Sequence, residues 1–150
     1  MTTPTDARIV VGVDGSEQSR LALHWAQTIA RATAADIEAV TVWFPPVNYG
    51  FAYSTDDWNP REDAEKTLTE AVDAVFGAER PRSLRLVVRE GNPTHELLTQ
   101  SEGATMLVLG SRGHGGFAGL LLGSVSAKCA EHAHCPVLVV HGADQPPTAS

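Results

Sequence analysis

The sequence predicts an α/β fold built on a parallel β-sheet, with helices on both of its faces. Three observations predict it. Short apolar runs recur at residues 9–13, 37–43, 83–88, 106–109 and 136–140, and strands apolar nearly throughout belong to sheets covered on both sides. Segments of helical periodicity stand between these runs. Strands that alternate with helices along a chain of 150 residues give one domain, with right-handed crossovers between parallel strands.

Each element follows from its residues. Ile9-Val-Val-Gly-Val13 is the first strand, and Asp14-Gly-Ser16 is a loop that ends in a helix cap, with Glu17 in the first helical turn. The first helix runs to about Arg31, with Leu21, Trp25, Thr28 and Ile29 on one face. The second strand, 37–43, is stopped by Pro45-Pro46, because proline cannot donate to a ladder. From Pro60 to Phe76 the pattern is amphipathic: Ala64, Leu68, Ala71, Val72 and Val75 face inward, and Gly77 suits the end. The third strand is 83–88, Gly91-Asn-Pro93 is a turn, and 94–102 is a short helix. The fourth strand, 106–109, leads through a glycine-rich loop to a helix over 124–132, and 136–140 is the fifth strand. The polar tail, 142–150, is expected to be flexible.

Composition excludes several classes. A net charge of −7 argues against non-specific nucleic-acid binding. No apolar run approaches the roughly 18–20 residues that span a bilayer, and residues 1–6 carry no signal-peptide core, so the expected location is the cytoplasm. Cys129 and Cys135 make neither a metal pattern nor a disulfide framework and are expected to be reduced, packed thiols.

The chemistry concentrates in Gly110-Ser-Arg-Gly113-His-Gly-Gly-Phe-Ala-Gly-Leu-Leu-Leu-Gly123-Ser124-Val125-Ser126. A strand that ends in glycines and restarts as a helix is suited to phosphate. Glycine lets backbone approach the anion, and the N–H groups at the helix start are unpaired and carry the positive end of the dipole. The loop is not a Walker A loop, since it lacks Gly-Lys-[Ser/Thr]. Nor is it the dinucleotide fingerprint, which belongs to the first strand. Ligands in such sheets sit beyond the carboxyl ends of the strands, where Asp14-Gly-Ser16, the region after Val42 and the glycine loop converge.

The spacing Gly110-x2-Gly113-x9-Gly123-Ser124 resembles the ATP-binding motif of the universal stress protein family. Val10-Val-Gly-Val-Asp14-Gly-Ser16 is similar to that family's opening, and Cys135-Pro-Val-Leu-Val-Val140 to its final strand. The resemblance covers nearly the whole chain. It implies a doubly wound five-stranded sheet of order 3-2-1-4-5 and a homodimer paired through the fifth strand, Pro136-Val-Leu-Val-Val140. It also implies roles: Gly12, Val13 and Asp14 against adenosine, Val42 beside the base, and Gly110 and Gly113 close to ribose and phosphates. Gly123, Ser124, Val125 and Ser126 present N–H groups and hydroxyls to the phosphates. Mg²⁺ would arrive with the nucleotide, with Asp14 as its one protein carboxylate.

Other readings stay open at this level. Asp14 or Ser124 can serve merely as helix caps, and Arg112 and His114 can pair with phosphate or be solvated. Residues 43–58 hold six of the nine aromatics, which suits a lid, a contact surface or a satellite cluster. The leading functional reading is an ATP-binding stress-response sensor or regulatory module with at most slow hydrolysis, because no base for water and no assured arginine finger can be identified. A modest ATPase or nucleotide-transfer enzyme is one alternative. A dimeric interaction protein that needs no nucleotide is another.

Overall fold

The computed structural model describes residues 7–44, 59–112, 123–142 and 146. In chain order the elements are β1 (Arg8–Gly12), α1 (Glu17–Thr33), β2 (Asp36–Trp43), α2 (Pro60–Phe76), β3 (Leu84–Glu90), α3 (Pro93–Gln100), β4 (Met106–Gly110), α4 (Ser124–His132) and β5 (Val137–Val140). All five strands run parallel in the order β3-β2-β1-β4-β5, as the motif implies.

Helix boundaries follow local chemistry. Ser16 caps α1 by accepting the amide of Ser19, and the chain leaves α1 through Ala34 in the left-handed conformation. Asn59 caps α2 and Asn92 caps α3, each followed by a proline at the first helical position, where no amide is needed. Gly77 closes α2 at φ +58°, a conformation glycine adopts without strain.

The core has two parts. On one face α1 and α2 pack with Ile9, Val11, Ile37 and Ala39; on the other, Val10, Val40, Leu107 and Leu109 meet Leu97 of α3 and Cys129 of α4. Ile9, Val10, Val11, Leu107 and Val108 are fully buried, which is why β1 and β4 read as continuous apolar runs. One detail of α1 differs from its periodicity. Its buried residues are Ser19, Leu21, Ala22, Leu23, Ala26 and Ala30, whereas Trp25 and Ile29 pack only at the margin. Ala22, Ala26 and Ala30 let the helix axis approach the sheet, and Trp25 and Ile29 flank the contact.

A charged cluster fixes α3 to the sheet. Glu38 of β2, only 8% exposed, accepts from Arg8 Nε at 2.7 Å and from Gln100 Nε2 at 3.3 Å. Arg8 Nη2 also donates to the carbonyls of Gln100 (2.9 Å) and Glu102 (2.6 Å), at the C-terminal end of α3. Arg89 of β3 holds Glu96 at 3.2 Å. Pro93 and Leu97 ride on the helix so held, and both reach the site described next.

Candidate functional site

The strand order reverses between β1 and β4, so α1 leaves β1 toward one face and α4 follows β4 toward the other. A cavity of about 360 Å³ opens there, beyond the carboxyl ends of the strands. Of the expected site residues, Gly12, Val13, Asp14, Val42, Gly110, Arg112, Gly123, Ser124, Val125 and Ser126 all line it. Gly113 and His114 lie outside the described residues, as do 45–58 of the aromatic segment.

One wall is apolar. Val40 and Val42 of β2, Leu109 of β4 and Pro93 and Leu97 of α3 form it. Val42 was expected; the other four were not. Gly12 belongs to this wall for a packing reason, since a Cβ there would stand 2.7 Å from Leu109 Cδ2 and 3.2 Å from Leu97 Cδ1. Val13 next to it is fixed on both sides, its N–H donating to the Val40 carbonyl and its carbonyl accepting from Thr41 Oγ1, each at 2.8 Å.

Other lining residues are polar. Asp14 Oδ1 accepts the Ser16 amide at 2.9 Å, Gly15 turns at φ +86°, and Ser16, not Asp14, caps α1. The Asp14 carboxylate is exposed at the cavity edge and is the one acidic side chain among the described lining residues. Among the described residues no cluster of three or more His, Cys, Asp or Glu side chains could hold a metal on its own.

The start of α4 stands apart from the other helix starts. Gly123 is its N-cap, in extended conformation, and no side chain caps it. The first helical hydrogen bond runs from Ala127 N to the Gly123 carbonyl at 2.9 Å, so the amides of Ser124, Val125 and Ser126 lie ahead of the ladder. These three residues border the cavity. Ser126 has a second role: it is 5% exposed, and its hydroxyl donates to the Gly110 carbonyl at 2.5 Å. That proton is committed to the loop's base, and the Ser126 backbone amide is what remains for a ligand.

The base of the glycine loop is closed by Ser111, another residue the sequence did not single out. Its amide donates to Val140 of β5 at 2.8 Å, and its carbonyl accepts from Gly123 N at 2.6 Å. Gly110 permits the neighbouring approach of α1, since a Cβ there would lie 2.8 Å from Gln18 Cβ and 3.0 Å from the Gln18 carbonyl carbon. His95 and Lys128 are exposed, and neither lines the cavity. Both cysteines are free, and burial pushes the Cys129 thiol up to about 11, with Cys135 adding to the shift.

Residues 7–141 match the model of the universal stress protein family. A universal stress protein of Mycobacterium tuberculosis is 37% identical over 142 residues, covering 93% of this chain and 46% of the relative. The chain belongs to the universal stress protein family. As a universal stress protein domain, it spans about half the length of the curated relatives it matches. Among solved structures, a universal stress protein in complex with cAMP is 31% identical, with a TM-score of 0.58 over 90% of this chain and 96% of that one. The universal stress protein of Archaeoglobus fulgidus in complex with dAMP is 25% identical, with a TM-score of 0.58 over 89% and 96%.

Proposed function

We propose that the cavity between β1 and β4 binds an adenine nucleotide, with ATP as the ligand of first choice. The observation that carries this reading is the uncapped start of α4 facing the same cavity as an apolar wall. A planar base suits Val40, Val42, Pro93 and Leu97. Phosphate oxygens suit the amides of Ser124, Val125 and Ser126, where the helix dipole is positive and the N–H groups lie ahead of the helical ladder with no side-chain cap among the described residues. Two related proteins bound to cAMP and dAMP, both adenine nucleotides, support the class of ligand.

Gly12, Val13 and Asp14 then lie along adenosine, and Gly110 and Arg112 along the path to the phosphates. Asp14 fits a magnesium ion brought in by the nucleotide, since magnesium takes one or two protein carboxylates and fills its remaining positions with water and phosphate oxygens. Bound there, the metal would neutralise phosphate charge.

The protein acts in this reading as a stress-response sensor or regulatory module, with at most slow hydrolysis. Arg112 is the one basic side chain among the described lining residues, which is sparse equipment for rapid phosphoryl transfer. A second copy pairs along β5, an outer strand whose Val137, Leu138 and Val139 are each only half-buried.

Native mass spectrometry of the purified protein, with and without added ATP, tests ligand and subunit count together. One nucleotide per chain in a dimer is expected. A protein that takes up no adenine nucleotide at millimolar concentration would sink the proposal.

A further inference from the structure

Gln18 is the second residue of α1, and it does not line the cavity. Its side chain turns toward the end of β4. Gln18 Oε1 accepts from Ser111 Oγ at 2.7 Å and from the Arg112 amide at 2.8 Å. The orientation of the carboxamide follows from its partners: the Arg112 N–H can only donate, so it must face the oxygen. The backbone of Gln18 also rests against Gly110, where only glycine leaves room.

These contacts hold the point at which the glycine-rich loop leaves the sheet. Ser111 is 2% exposed and already bonded to Val140 and Gly123. Gln18 adds the third anchor and extends it one residue outward, to Arg112. It is also the anchor that a side chain supplies from α1, across 93 positions of sequence. Through Ser111 it fixes Gly123, and through Gly123 the start of α4.

We propose that Gln18 is a positioning residue for the phosphate end of the nucleotide site. Its carboxamide oxygen sets the exit of the loop from β4 and the placement of the α4 amides, without touching the ligand. The inference rests on the nucleotide reading above and adds a residue to it. It assigns Gln18 to the phosphates and not to the base, because its partners all lie at the loop's base and none on the wall formed by Val42 and Leu97.

Gln18→Met keeps the length of the side chain and removes the acceptor; Gln18→Glu keeps an acceptor oxygen at the same reach. Titration calorimetry of the wild type and both variants with ATP and with adenosine reads the effect. Gln18→Met should weaken ATP about tenfold, the size expected when two ordinary hydrogen bonds that shape a site are lost. Adenosine affinity should stay within about twofold, since phosphate contacts are absent from it, and Gln18→Glu should return ATP to within about threefold of wild type. Gln18→Asn withdraws the acceptor by one methylene and should reproduce the same split, should the methionine variant not fold. Equal weakening of ATP and adenosine, unchanged ATP affinity in the variants lacking the acceptor, or no rescue by Gln18→Glu would each overturn the assignment. If the wild type binds neither ligand, the nucleotide reading itself fails and takes this one with it. Wild-type binding that the variants leave intact removes only the role of Gln18.

Discussion

The hydroxyl of Ser126 donates to the carbonyl of Gly110, joining the first turn of α4 to the last residue of β4. The two residues enclose a loop of fifteen, yet they are as close as neighbours in a turn. This bond, beside the one from Gly123 N to the Ser111 carbonyl, places the helix start against the strand end.

Ser126→Ala should remove the donor and leave the Gly110 carbonyl without that partner at a part-buried site. A loss of about 1–3 kcal/mol is expected, the usual cost of orphaning a buried acceptor. Urea denaturation checks it, and an unchanged midpoint would show that water replaces the hydroxyl freely.

Two glycines of the site should respond differently to the same substitution. Gly110→Ala brings a methyl to 2.8 Å from Gln18 Cβ and 3.0 Å from its backbone, which can move only with α1. Gly12→Ala meets the ends of the Leu109 and Leu97 side chains, which can turn aside. Gly110→Ala should cost about 1–3 kcal/mol, and Gly12→Ala less while narrowing the cavity. Paired denaturation curves decide this; a larger loss for Gly12→Ala would contradict the packing described.

Arg8→Met should destabilise the domain more than Arg61→Met. Arg8 faces a Glu38 side chain only 8% exposed and also holds two carbonyls at the end of α3, whereas Arg61 and Glu65 are more than half exposed. Arg8 is itself 27% exposed and Gln100 still donates to Glu38, so about 1–3 kcal/mol is expected rather than the full cost of stranding a buried charge. For Arg61→Met the expected change is under about 0.5 kcal/mol. Thermal melts of the two variants provide the comparison.

The Cys129 thiol gives the stability a pH dependence at the alkaline end. Its folded pKa is about 11 against an ordinary 9.0, so the folded state holds the proton more tightly. The associated stabilisation is fully present below pH 9 and is lost as pH rises toward 11. Melting temperature should therefore fall across that window, and Cys129→Ala should flatten the fall. Alkylation at pH 8 should reach half-buried Cys135 well before Cys129, because the thiolate is the reactive form. Faster labelling of Cys129 would refute the buried, protonated thiol.

The strands and helices were legible because their residues obey strong local rules: apolar runs at β1 and β4, a turn whose asparagine directly precedes proline at α3, glycine at the end of α2. The site was legible where backbone geometry selects residue type, as at Gly110 and Gly123. Gln18 and Ser111 were not, since a polar residue in the first turn of a helix reads as solvated surface until a partner 93 positions away is brought beside it. The apolar wall was half hidden for a similar reason: Val40 and Leu109 look like core, and they are both core and wall. In α1 the alanines were passed over for the larger Trp25 and Ile29, although small size is what brings that helix onto the sheet.

Helices α1, α2 and α3 each carry a side-chain cap within the chain, and among the described residues α4 carries none. A helix end completed by a solute has a stability governed by mass action. At a hundredfold excess over its dissociation constant, a ligand confined to the folded state adds about 2.7 kcal/mol, and that gain disappears as the solute is depleted. Resistance to unfolding and to proteolysis would then rise and fall with the supply of the anion, which makes the persistence of the domain itself a record of that supply.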